Sequence, residues 1–212
     1  MISLRQSFDE RLQEIEAYLD LLEALERQTQ TGPPKIGGGP ISAQQQKILY
    51  SAVYLQLYNL VEATMVWCLS GVASAAAKNG QWLPADLSDD LRREWVRTTA
   101  RTHVELKSEH RLKTTLELCD LLIKSVPISE WDFERRGAGS WDDLQIESMA
   151  DRIGCNVPFT QDAVTGIKRV IRNDKSALVL IRDLRNQLAH GSLSFTECGE
   201  GVTSTDLREI TD

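Results

Sequence analysis

The chain has 212 residues, 42% hydrophobic and 26% charged, the balance of an ordinary soluble globular protein with length for one well-buried domain. Its formal net charge of −7 excludes a global basic signature for nucleic acid, so any such contact has to rest on a local patch. Cys68, Cys119, Cys155 and Cys198 stand apart with no CxxC pair, which reads as reduced thiols of a cytoplasmic protein rather than a disulfide framework.

Leu4, Phe8, Leu12, Ile15, Leu19, Leu22 and Leu25 recur at threes and fours, predicting a helix from Leu4 to about Gln30. This amphipathic start is not a signal peptide. Thr31-Gly-Pro-Pro and Gly37-Gly-Gly-Pro break the helix with a flexible linker near 31–41. Ser42 suits the N-cap of a second helix running to about Lys78 through Leu49, Val53, Leu57, Leu60, Val61, Met65 and Leu69, with Asn79-Gly80 ending it. Its most apolar stretch, Met65 to Ala77, is too short to span a bilayer, so no membrane partner is expected. Ser88 suits the cap of a third predicted helix, Asp89 to about Lys124, straight or bent, and the chain from Pro127 to Trp141 looks irregular. A short helix fits Asp142 to Ile153, stopped by Gly154. The last major helix starts near Gln161 or, after a break at Asn173-Asp174, at Ser176, and runs to His190. A mixed tail, 191–212, has room for a final turn or two between Thr203 and Ile210. With no repeat and no strand-like alternation, the expectation is an all-α bundle, a single domain over 1–212.

The most informative stretch is Arg185-Asn186-Gln187-Leu188-Ala189-His190-Gly191. Arginine binds phosphate through a planar, permanently charged fork, and histidine is the side chain best suited to move a proton near neutral pH. At 100° per residue, Ala177, Leu180, Ile181, Leu184 and Leu188 share an arc of about 100°, the core face. Arg182, Arg185, Asn186, Ala189 and His190 occupy the opposite arc, with Asn186 and His190 one turn apart. Leu178 and Val179 also fall on this polar side, which points to a second protein surface covering them. A homodimer with this helix near a two-fold axis, using Leu178, Val179 and Ala189, would supply it. Gly191 is a good left-handed residue to end the helix. Spacing alone leaves the bland reading open, since a histidine before a helix-stopping glycine is common and the arginines can be solvated surface charge. Arg97 and His103 on the third helix show how readily such pairs arise.

Tyr50, Tyr54, Tyr58 and Glu62 follow one another at i+4. They either line a groove, with rings stacking on bases and Glu62 pairing with an arginine, or form a tyrosine-rich edge of the core. Lys168, Arg169, Arg172, Lys175, Arg182 and Arg185 outnumber Asp174 and Asp183 and form the best local candidate for an RNA-binding patch, or a solvated face. Arg92, Arg93, Arg97 and Arg101 make a second basic stripe with the same two readings. His103 and His110 lack a third ligand at a zinc spacing, so no metal is expected; Gly37-Gly38-Gly39 precedes no Lys-Ser/Thr and reads as linker. Asp89-Asp90 and Asp142-Asp143 suit helix starts.

Leu184-Arg-Asn-Gln-Leu-Ala-His-Gly191, running into Ser194-Phe-Thr-Glu-Cys-Gly199 and Thr205-Asp-Leu-Arg, resembles the C-terminal signature of the HEPN superfamily, in particular its MAE-type branch of predicted ribonuclease toxins. The opening Phe8-Asp-Glu-Arg-Leu-Gln-Glu-Ile-Glu, the segment Leu57-Tyr-Asn-Leu-Val-Glu62 and the short helix at Asp142 to Gly154 are similar to that branch as well. The resemblance implies a helical bundle that dimerises through its motif helices and cleaves RNA without metal or other cofactor, the ribose 2′-OH attacking the adjacent phosphate. It casts Arg185 as the stabiliser of the charged phosphorane, His190 as general acid or base, and Asn186 as the residue that orients phosphate or the histidine. Glu62, Tyr58 and Arg182 are the supporting candidates. It further implies a toxin–antitoxin or anti-phage role with an inhibitory protein partner. Because some HEPN proteins are non-catalytic, the alternative is an interaction, dimerisation or RNA-binding module.

Overall fold

A computed structural model describes residues 3–77, 82–102, 104–129, 131–134, 141–156 and 158–211. Among these residues the regular structure is helical apart from two minute hairpins, and the chain divides into two compact units. The first comprises Met1–Thr64, Trp141–Asp143 and Phe159–Asp212; the second comprises Met65–Ser140 and Leu144–Pro158. The predicted helix end at Asn79-Gly80 and His103 lie outside the described residues.

In the first unit, α1 (Leu4–Thr29) starts where the Ser3 hydroxyl accepts the Gln6 N–H at 3.1 Å. It buries Ile15, Leu19, Leu22 and Leu25, the predicted stripe, with Phe8 and Leu12 packed at its edge. The expected linker carries a two-residue hairpin, β1 (Lys35–Ile36) against β2 (Gly39–Pro40), too short to leave any alternation in the sequence. Helix α2 (Ala43–Ala77) follows and gives the first unit Tyr50, Val53, Tyr54, Leu57, Tyr58 and Leu60. The tyrosine stripe is therefore core, and burial pushes the Tyr54 phenol up to about 12. By length and composition α2 suffices to cross a membrane, one 18-residue window reaching a mean hydropathy of 1.5 with 22% of it buried. Met65 to Ala77 alone understated this run.

Helix α6 (Gln161–Lys168) leads into β3 (Val170–Arg172) and β4 (Lys175–Ser176), and these into α7 (Ala177–Ala189). The tail is more ordered than its mixed composition suggested. It forms α8 (Phe195–Cys198), begun by a capping box between Ser194 and Glu197, and α9 (Ser204–Thr211). Helix α9 packs on α1: Arg208 reaches Glu23 and Asp20, each at 2.8 Å, and Glu26 accepts the Ser204 N–H at 2.8 Å and the Tyr50 hydroxyl at 3.3 Å. Burial and the Glu26 carboxylate raise the Tyr50 phenol to about 12. Buried Cys198, its thiol pushed to about 11 by desolvation, closes the core beside Val202, Leu207 and Ile210.

Gly199, just past α8, lies against the backbone of Lys47, and a Cβ there would overlap the Lys47 carbonyl. Backbone cannot yield as a side-chain tip can. Gly199→Ala is expected to cost about 1–3 kcal/mol of stability, the range of overpacked sites, read as a lower urea midpoint at unchanged slope.

The second unit gathers the C-terminal part of α2 from Met65, α3 (Asp89–Thr99), α4 (Ser108–Ile123) and most of α5 (Asp143–Arg152). The predicted third helix is thus two helices. Ala100 caps α3, and Arg101 takes a left-handed φ of 53° that α-helix cannot continue through. Leu87, Trp95, Ile128 and Ala76 form its core, with Leu118 and Leu121 of α4 packed against them. The Glu94 carboxylate, 2% exposed, accepts from Arg152 at 2.6 and 3.3 Å and pairs with Arg97 at 2.9 Å. Arg92 donates to the carbonyls of Pro84 and Leu87, and Arg93 pairs with Asp90. Three of the four arginines of the second basic stripe hold structure.

Candidate active site

The motif helix is entered through a tight turn. Asn173 and Asp174, with φ of 53° and 56°, connect β3 to β4, the left-handed pair that such a turn requires and that Asn and Asp tolerate best. Helix α7 then buries Leu180, Ile181, Leu184 and Leu188, with Ala177 at the margin, which is the core face expected from the sequence.

Its end is a Schellman stop. His190 is the C-cap residue, its N–H on the Asn186 carbonyl at 3.0 Å; Gly191, at φ +70°, donates to Leu188 at 3.3 Å and Ser192 to Gln187 at 3.0 Å. A Cβ on Gly191 would meet nothing within 4 Å, so the backbone conformation and not space demands glycine there. This terminator leaves the His190 side chain in solvent, without a hydrogen bond to any described residue, and Ala189 exposed beside it.

One turn back, Arg185 is half-buried. Its guanidinium carbon stands 4.6 Å from the centroid of the Tyr58 ring, and Nη1 donates to Asn186 Oδ1 at 3.0 Å. Tyr58 is fully buried, and its hydroxyl accepts the Trp141 N–H at 3.3 Å. Burial pushes the Tyr58 phenol up, so the ring is a neutral, fixed platform. No described carboxylate lies within ion-pair distance of Arg185, and most of its N–H donors remain open to a ligand.

Arg182 differs. It pairs with Asp142, a buried carboxylate forty residues earlier, and with Asp183 at 2.7 Å. Lys175 joins Asp183 at 2.6 Å. Burial pushes the Asp183 carboxyl up, but the hydrogen bonds from Lys175 and Arg182 outweigh it and hold the group below the usual carboxylate range. With Arg169 paired to Glu209, three cations of the expected basic patch are neutralised, and Lys168, Arg172 and Arg185 keep no carboxylate among the described residues. Glu62, one turn beyond Tyr58 and half-buried, makes no ion pair among the described residues either; its charge is felt by the Tyr58 phenol. Leu178 and Val179 are both half-buried, and Leu178 lines a cavity of about 950 Å³ with Phe8, Ile167 and Ile210.

Sequence reasoning missed Trp141 and Asp142, which position Tyr58 and Arg182. Asp142-Asp143 reads as a helix start, which Asp143 is; nothing in it foretells a partner forty residues away.

An all-α chain whose arginine and histidine share the exposed arc of one helix, stopped at the histidine by glycine, has the form of a HEPN domain. The family model of MAE_28990-like HEPN proteins matches residues 2–212, and the chain belongs to that family. No curated protein and no solved structure matches it.

Proposed function

We propose that the chain is a HEPN-type endoribonuclease that needs no metal, cleaving RNA with Arg185, His190 and Asn186. The observation that supports it most is the contrast along α7: Arg182 is consumed by carboxylates, whereas Arg185 rests on a buried ring with its donors free and His190 is exposed beyond it. That pairing suits a reaction in which O2′ bonds to phosphorus as the P–O5′ bond breaks. Arg185 offsets the charge of the phosphorane. His190 takes the 2′-OH proton, and a second His190, from the other copy of a homodimer, delivers a proton to the leaving 5′ oxygen. Asn186 fixes the Arg185 fork. A cytoplasmic toxin or anti-phage effector, held in check by an inhibitor protein, is the setting this activity fits.

The acidic pairing of Arg169, Lys175 and Arg182 favours a second reading, a non-catalytic interaction module, because it leaves little basic surface for RNA. Purified wild type and His190→Ala, incubated with a mixed RNA pool in EDTA, separate the two. Cleavage by wild type alone, with 2′,3′-cyclic phosphate ends, is expected of the nuclease; equal products from both proteins, or none from either, would leave the module.

A further inference from the structure

Helix α4 has two apolar faces. Leu118 and Leu121 pack into the core of the second unit. On the opposite side Leu112, Leu116, Cys119 and Ile123 face solvent, the three aliphatic side chains 55%, 58% and 80% exposed, and Leu122 is exposed beside them. Their spacing of four, three and four is the seam of a two-stranded coiled coil, which only another helix fills knob into hole. No residue of α4 is buried, so the whole stripe is presented on a helix already folded and anchored from behind.

We propose that this seam is an interface between two copies of the chain, with their α4 helices packed antiparallel. In that register Leu112 meets Ile123 of the second copy and Leu116 meets Cys119, four layers in all across the two-fold axis. The flanks favour the same occupant and direction. Lys113 and Asp120 occupy equivalent positions beside the seam, and antiparallel pairing sets each within about 3 Å axially of its opposite in the other helix. Each is also paired along its own helix, Lys113 with Glu117 and Asp120 with Lys124, so a four-charge cluster forms on either side of the axis. Thr115 and Leu122 line the other flank and extend the apolar contact. A parallel pair would instead set Glu109 against Glu109 in the seam and bring no opposite charges together. The helix is complementary to its own reverse.

This interface is separate from α7 and does not depend on what α7 does. Light-scattering mass measurements on wild type and Leu116→Glu test it, since a glutamate there enters both central layers while remaining solvated in a single copy. At equal concentration, Leu116→Glu is expected to have half the mass of wild type with the same circular dichroism. Leu112→Cys/Ile123→Cys, in a background with Cys68, Cys119 and Cys155 replaced by serine, is expected to give a disulfide-linked species of twice the chain mass whose linked peptides join 112 to 123. The two positions are about 16 Å apart on one helix, so the bond cannot form within a copy. Equal masses for wild type and Leu116→Glu, or the absence of the 112–123 link, would each overturn the proposal.

Discussion

Arg185→Lys is expected to lower RNA cleavage by about 10²–10³-fold, the loss seen when one donor to a developing anion is removed, and Arg185→Ala by no less. Lysine keeps the charge but not the geometry. Its ammonium is a single point without a planar fork, so it cannot stack on Tyr58 and hold Asn186 Oδ1 while presenting two parallel N–H groups to a phosphate. The stacked contact is worth about 1 kcal/mol, so both variants stay folded, and their thermal midpoints are the control. Tyr58→Leu is expected to reduce the rate in the same direction by removing the platform and leaving the Trp141 N–H without its acceptor. Wild-type rates for Arg185→Lys on a single defined RNA would refute this assignment.

The largest loss of stability is expected at Glu94. Its carboxylate is enclosed and holds Arg152 from α5 and Arg97 from its own helix. Glu94→Ala takes the enclosed carboxylate away from two half-buried guanidiniums, Arg152 retaining a longer contact with Glu134 at 3.5 Å, and breaking such a buried pair costs about 3–5 kcal/mol. That is a large share of the stability of a typical domain. Glu94→Gln keeps an acceptor for Arg152 and should fall between wild type and alanine in urea denaturation. A cost under about 1 kcal/mol for Glu94→Ala, the value of an exposed pair, would show that water reaches the site.

Both sites show which features a sequence displays. Apolar periodicity is local, so the stripe of α1 and the core face of α7 could be read from residue spacing, as could the turn at Asn173-Asp174 and the stop at Gly191. The resemblance to the family signature singled out Arg185 and His190 as candidates. The break after α3 was hidden because Ala100-Arg101-Thr102 contains no Gly or Pro; only the low helix propensity of Thr98, Thr99 and Thr102 hints at it. Pairs such as Arg182–Asp142 and Glu94–Arg152 join charges 40 and 58 residues apart, and each partner alone resembles a solvated surface group. The platform under Arg185 escaped for the same reason. Tyr58 showed itself as part of a stripe, but its contact with the arginine exists only once α2 and α7 share a core.

The Schellman stop at the end of α7 is closed by main-chain groups alone, and the imidazole of His190 supports nothing around it. Replacing that side chain therefore costs the fold almost nothing. The identity of this residue can change by a single codon with the stability of the domain intact.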